Sequence, residues 1–257
     1  MGRRAHAAFR ESEAESLGLA VIGTGSLGRR EMSPWSDVDF ILLAPDGVAN
    51  ETLESAAEAM LYPLWDAGVT TGHQVRRIDD AIGLAEKDAQ ALTGLLDARL
   101  IAGDEAFART LDEQTDALLK KIGPSVRIYR PEPPAVSADY PPAVHVLEPD
   151  IKESPGGLRD FHVAVWSALA RFGRGGDPAQ TFIDAGFISR VGWLELTQAV
   201  DFLLRLRHET QFRARSRSDK LSVAVQPEAA ILLGYQGAGE AEAARRCSRI
   251  TSRPRTA

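Results

Sequence analysis

Cysteine is almost absent. Cys247 stands alone, which excludes an intrachain disulfide and any zinc site built on several thiolates. No apolar run approaches the roughly 20 residues of a membrane-spanning helix. The first sixteen residues begin basic and turn acidic, without the apolar centre of a secretory signal. The expectation is a cytoplasmic protein with no membrane partner. A surplus of positive charge is missing too. Net charge is −6 over 257 residues, and the cations gather late: residues 201–257 hold eleven Lys/Arg against six Asp/Glu. The acidic remainder argues against a nucleic-acid partner, which calls for a basic face. Small anionic substrates stay open, because a metal ion and a few placed cations suffice for them. No internal repeat is visible.

What is present is an ordinary globular composition, 44% apolar and 26% charged, long enough for one large domain or two modest ones. Residues 4–16 read as a polar helix, followed by a short strand at Leu19–Ile22. A glycine-rich turn spans Gly23–Gly28 and starts a short helix over Leu27–Glu31. A second strand runs through Asp37–Leu43 and ends in the turn chemistry of Pro45-Asp46-Gly47. Leu53, Ala56, Ala57, Met60, Leu61 and Leu64 have helical spacing across 51–66. Residues 69–76 read as a third strand and 79–101 as helical pieces. The segment 122–143 is rich in proline and reads as a loop, with a strand expected over Val144–Ile151. From Leu158 the pattern is helical. The fold class expected is therefore α+β: a mixed α/β part over 1–150, a helical domain over 151–235, and a disordered, low-apolar tail over 236–257.

The chemistry concentrates in Gly25-Ser26, ten intervening residues, and Asp37-Val38-Asp39. Alternate strand residues face the same side, so Asp37 and Asp39 project together, away from Val38 and Phe40. Two adjacent carboxylates repel, and strands have little intrinsic use for Asp. A divalent cation removes that repulsion, and Mg²⁺ prefers one or two carboxylates together with substrate phosphates. Glycine lets the backbone approach a phosphate closely, and the Ser26 hydroxyl can donate one more hydrogen bond. Gly23, Gly25 and Gly28 also mimic a dinucleotide fingerprint, but Pro34 follows too soon for the long helix that motif needs. The combination reads as a nucleotidyltransferase.

The same residues resemble the signature of the polymerase-β nucleotidyltransferase superfamily. More narrowly, Gly28-Arg29-Arg30-Glu31-Met32-Ser33-Pro34-Trp35-Ser36-Asp37-Val38-Asp39 is similar to a block of the PII uridylyltransferase family. So are Gly72-His73-Gln74-Val75-Arg76, the run Leu95–Gly103, and the run Leu147–Asp160; residues 201–235 match more loosely. The resemblance covers residues 17–235 and implies transfer of UMP from UTP to a tyrosine of the PII nitrogen-regulatory protein, with release of pyrophosphate. It implies catalytic and Mg²⁺-holding roles for Asp37 and Asp39. The family's usual Gly-Gly-Tyr-Gly-Arg is Gly25-Ser26-Leu27-Gly28-Arg29 here, which stays compatible with phosphate binding. Family members continue into a phosphohydrolase domain and small ligand-binding domains, which this sequence does not reach, and residues 236–257 do not resemble the family.

Superfamily members place a third carboxylate on a neighbouring strand. Glu148 is the candidate, with Asp150 on the same face if that segment is a strand; Asp88 and Asp97 fall in helical pattern. Gly25, Ser26 and Ser36 are candidate nucleotide-binding residues, and Arg29, Lys152 and Arg159 candidate triphosphate clamps, since guanidinium grips phosphate with two parallel hydrogen bonds. Asp160 has a plainer use near a helix start. Nothing in the sequence reads the base. Adenylyl transfer from ATP, to PII or another protein, is therefore one alternative. A truncated, inactive remnant that only binds nucleotide or PII is the other.

Overall fold

The computed structural model describes residue 14, residues 16–123, residue 128, and residues 148–174 and 176–234. All but residues 14 and 16 of the helix expected over 4–16, nearly all of the Pro-rich segment, most of the strand expected from Val144, and the tail from 236 lie outside the described residues. The chain forms two compact units. One lies within Met1–Met32, Ser36–Arg127 and Trp166–Gly176; the other lies within Ser33–Trp35, Ile128–Val165 and Asp177–Ala257.

The first unit is built on a four-stranded mixed sheet of β1 (Ala20–Gly23), β2 (Val38–Leu43), β3 (Thr71–Arg76) and β4 (Arg99–Gly103), in the order β3-β2-β1-β4. β1 runs antiparallel to β2 and β4, whereas β2 and β3 are parallel. A parallel pair needs a crossover, supplied by the second helix. The helices here are α1 (Gly25–Arg29), α2 (Asn50–Asp66), α3 (Ile78–Ala85), α4 (Ala89–Leu96) and α5 (Glu105–Ile122). The apolar stripe of α2, with Leu53, Met60, Leu61 and Leu64, packs with Val21, Val38, Phe40 and Leu42 of the sheet in one buried cluster. Fully burying side chains of this size is worth about 1.5–3 kcal/mol each. This cluster is the spring that holds β2 in place.

Three local expectations change. α1 begins at Gly25 rather than Leu27, and Arg30 ends it in the left-handed region at φ 63°. Leu100 and Ile101 belong to a strand, not to the helical run 79–101. Their spacing continues that of Leu92 and Leu96, but the free edge of β1 offers them hydrogen bonds that a longer α4 would forgo. The sequence reading also gave no element between 104 and 122, where α5 forms. Asp104 caps it by accepting from Ala106 N–H, Lys120 and Lys121 close it, and Leu111, Thr115, Leu118 and Leu119 form its buried stripe.

The second unit contains α7 (Pro178–Asp184), α8 (Arg190–Ala214), α9 (Gln226–Leu232) and the first half of α6 (Leu158–Phe172), whose residues from Trp166 belong to the first unit. Its core gathers Ile151, Leu158, Val200, Leu206, Leu221, Ala229 and Ala230. No extended strand covers 148–151; Asp150 instead makes an isolated bridge to Lys220.

Candidate active site

Antiparallel pairing of β1 with β2 explains the ten-residue spacer. Gly23 pairs with Phe40, and Thr24 N–H donates to Asp39 C=O at 3.0 Å, so the turn after β1 lands on the start of β2. Gly25, at φ +52°, then faces the Asp39 side chain: a Cβ on Gly25 would sit 3.5 Å from Asp39 Oδ2. Across the parallel ladder Asp39 pairs with Gly72, where a Cβ would sit only 2.3 Å from Oδ1. The carboxylate therefore occupies a gap between two glycines. Asp37 and Asp39 are half-buried and alternate with fully buried Val38 and Phe40. β2 begins at Val38, so Asp37 immediately precedes the strand expected to start with it. Ser36, also half-buried, precedes them.

Thr24 supplies no side-chain cap to α1, so the first N–H groups of that helix have no partner within it. Ser26 Oγ donates to Met32 Sδ at 3.1 Å, a weak acceptor. Carboxylates close to the first N–H groups of a short helix are a combination that suits a Mg²⁺-bound polyphosphate. Among the described residues no group of three or more His, Cys, Asp or Glu side chains gathers as a metal site.

Arg29 is engaged within the first unit. Its Nε donates to Glu31 Oε2 at 2.8 Å, its Nη1 donates to Asp97 Oδ2, and the guanidinium lies 5.5 Å from the Trp166 ring centre. Asp97 is the residue that sequence reasoning set aside. Its other oxygen accepts from Trp166 Nε1 at 2.7 Å, and burial pushes its carboxyl up to about 6 although Arg29 pulls the other way. Arg99 reaches back to the same helix, donating from Nε to Gly28 C=O at 3.0 Å and from Nη2 to Leu27 C=O at 2.7 Å. The only signal for either in sequence was their place in the run Leu95–Gly103. Asp88 caps α4 by accepting from Ala91 N–H.

The remaining candidates belong to the second unit. Glu148 Oε1 accepts from Val223 N–H at 3.1 Å. Asp150 Oδ1 accepts from the N–H groups of Lys152 and Glu153, which folds the turn ahead of α6. Arg159 pairs with Glu153 at 3.0 Å, and Lys152 approaches the same carboxylate at 3.6 Å. Burial, then the Arg159 charge, holds the Lys152 ammonium below its ordinary range. Asp160 Oδ2 accepts from Gly156 N–H at 2.6 Å, the plainer use expected of it. Deeper in, Arg207 grips Asp219 with two hydrogen bonds of 2.8 and 3.1 Å, and fully buried Gln211 bridges Asp219 to Trp35 N–H.

Comparison with known proteins adds a second line. The family model of the GlnD PII-uridylyltransferase matches residues 138–254. The bifunctional uridylyltransferase/uridylyl-removing enzyme of Photobacterium profundum is 34% identical over 227 residues, 86% of this chain and 25% of the relative. The chain belongs to the PII-uridylyltransferase family. Enzymes of the same description from Ectopseudomonas mendocina and Azotobacter vinelandii are each 32% identical over 225 residues, 86% of this chain and 24% of theirs. The chain thus spans about a quarter of the length of these curated family members. The family match also runs through most of 236–257, which corrects the expectation that these residues bear no resemblance to it. A composition rich in Ala, Gly and Arg hid that relation.

Proposed function

We propose that the first unit is a polymerase-β-type nucleotidyltransferase domain that transfers UMP from UTP to a tyrosine of a PII signalling protein and releases pyrophosphate. The observation that carries this reading is the Asp39 carboxylate lodged between Gly25 and Gly72, with half-buried Asp37 two residues before it. Membership of the PII-uridylyltransferase family supports the uridylyl group and the PII acceptor. In the reaction the tyrosine oxygen bonds to the α-phosphorus, the bond from that phosphorus to the bridging oxygen breaks, and the hydroxyl proton leaves to solvent. Asp37 and Asp39 would hold Mg²⁺, which when bound neutralises charge on the attacking and leaving oxygens. Gly25 and Ser26 receive the β,γ-phosphates through open backbone donors, and Ser26 can exchange its thioether acceptor for a phosphate oxygen. Arg29 is tied to Asp97 and Glu31, so its part in phosphate binding falls to donors those acids leave over. Lys152 and Arg159 remain candidate clamps, and Glu148 the candidate third carboxylate.

The test is incubation of the chain with Mg²⁺, purified PII and labelled UTP or ATP. Mg²⁺-dependent labelling of PII from UTP is expected, and Asp39→Asn should abolish it without loss of fold. Labelling from ATP alone would convert the reading to adenylyl transfer. Nucleotide binding without transfer would leave a binding remnant, and comparable activity in Asp39→Asn would remove the assignment of the carboxylate pair.

A further inference from the structure

We infer that Asp97 and Arg99 are positioning residues that lock the Gly25-Ser26 turn against Asp39, so that an incoming nucleoside triphosphate meets it in one orientation. The inference rests on the nucleotidyltransferase reading of that turn.

α1 cannot hold itself. Five residues make about one and a half turns, and so short a helix carries the full nucleation penalty with few internal bonds to offset it. Its front end is tied to the catalytic strand by the hydrogen bond from Thr24 N–H to Asp39 C=O, and Leu27 is buried in the sheet's apolar cluster. Polar restraints on its other end come from Asp97, between α4 and β4, and from Arg99, the first residue of β4. The Arg99 fork takes the carbonyls of Leu27 and Gly28, the kind of acceptor a helix end leaves unmatched. Asp97 holds Arg29 in the last turn of α1, and is itself held by Trp166 Nε1. The Gly28 backbone packs so closely that a Cβ there would lie 2.0 Å from Asp97 C=O. Helix, acid and arginine thus form one brace, and it grips the face of α1 away from the open N–H groups.

A brace of this kind differs from ordinary core packing in what its loss does. Without it the apolar cluster, which contains neither Asp97 nor Arg99, keeps β2 in place. Leu27 keeps α1 seated in that cluster, but the turn gains freedom to rotate and its donors lose their fixed bearing on Asp39. Misplacement of binding groups by about 1 Å is enough to lower catalytic efficiency by large factors. Lysine cannot replace the Arg99 fork, because one ammonium does not span two carbonyls in a fixed plane.

The experiment compares the full chain with Arg99→Lys, Arg99→Ala and Asp97→Asn. Amide hydrogen exchange is followed in segment 24–31 and in β2, and Mg²⁺-UTP and Mg²⁺-ATP binding is measured by titration. Faster exchange in 24–31 with β2 unchanged is expected, together with nucleotide affinity lowered on the order of tenfold in Arg99→Ala and by less in Arg99→Lys. If Arg99→Ala does not fold, Arg99→Lys and Asp97→Asn carry the test. Wild-type binding retained in full by variants with a loosened 24–31 would overturn the inference alone, as would equal loosening of β2. A wild-type chain that binds neither nucleotide would remove the nucleotidyltransferase reading, and this inference with it.

Discussion

At position 72 the space available for one methyl group bears on the whole site. The partner strand places Gly72 directly beside Asp39, and any side chain there would have to displace Oδ1, which would sit 2.3 Å from the new carbon. Gly72→Ala is therefore expected to rotate the Asp39 carboxylate out of the gap while leaving the sheet paired, since residue 72 is exposed and its backbone φ lies in the ordinary range. Transfer activity should fall on the order of a hundredfold, with little change in the denaturation midpoint. Retained activity would show that the glycine is needed only for strand pairing. Asp-x-Asp and the Gly-Ser turn were legible in sequence because alternation along a strand is local. Gly72 was legible only as part of a similar block, because its role depends on which residue lies across the ladder.

Among elements, α1 and the segment around Asp219 make opposite predictions with pH. Asp97 is buried, and its carboxyl is pushed up to about 6, so the folded state holds its proton more tightly than the unfolded chain does. Stability from this group is complete below about pH 4, declines as pH rises towards 6, and is flat above about 7. The span is on the order of 3 kcal/mol. Denaturant midpoints measured from pH 4.5 to 7 should show this fall in the wild type and lose it in Asp97→Asn; parallel curves would place the titration elsewhere. Asp219 behaves in the other sense. Burial opposes its charge, but hydrogen bonds from Arg207 and Gln211 and the Arg207 charge win and hold it below the usual carboxylate range. Its contribution is present above about pH 4 and is lost as pH falls further. Removing it strands a nearly buried guanidinium, so Asp219→Ala should destabilise the second unit by about 3–5 kcal/mol. Hydrogen exchange should then quicken at Ile151 and Leu221, whose backbones pair with Asp219 and Pro149. Quickening confined to β1–β4 would contradict this.

For the molecule as a whole, the relatives are bifunctional uridylyltransferase/uridylyl-removing enzymes, and this chain covers a quarter of their length. Its five histidines stand at 6, 73, 145, 162 and 208, and among the described residues none joins a group able to hold a metal. Incubation with uridylylated PII and Mn²⁺ is expected to release no UMP, and detection of free UMP from this chain would refute that. Among the described residues no helix is long and apolar enough to cross a membrane.

What the amino-acid sequence determined by itself were patterns that repeat over a few residues, although the stripe of α5 went unread. The apolar stripe of α2, the alternation of β2, the Gly-Ser turn and the runs similar to the family all depend on neighbours along the chain. Only the tertiary structure decided which distant groups meet. Leu100 and Ile101 became strand because β1 had a free edge, although their spacing continued a helix. Asp97, set aside as a helical acid, became the anchor of Arg29, because the Asp97–Arg99 connection comes to rest under α1. Arg29 reads as a phosphate clamp along the sequence, and the fold adds its pairing with Asp97 and Glu31. The physical reason is common to all of these. Periodicity encodes which face a residue presents, but hydrogen-bond partners are assigned only after the chain has folded back on itself.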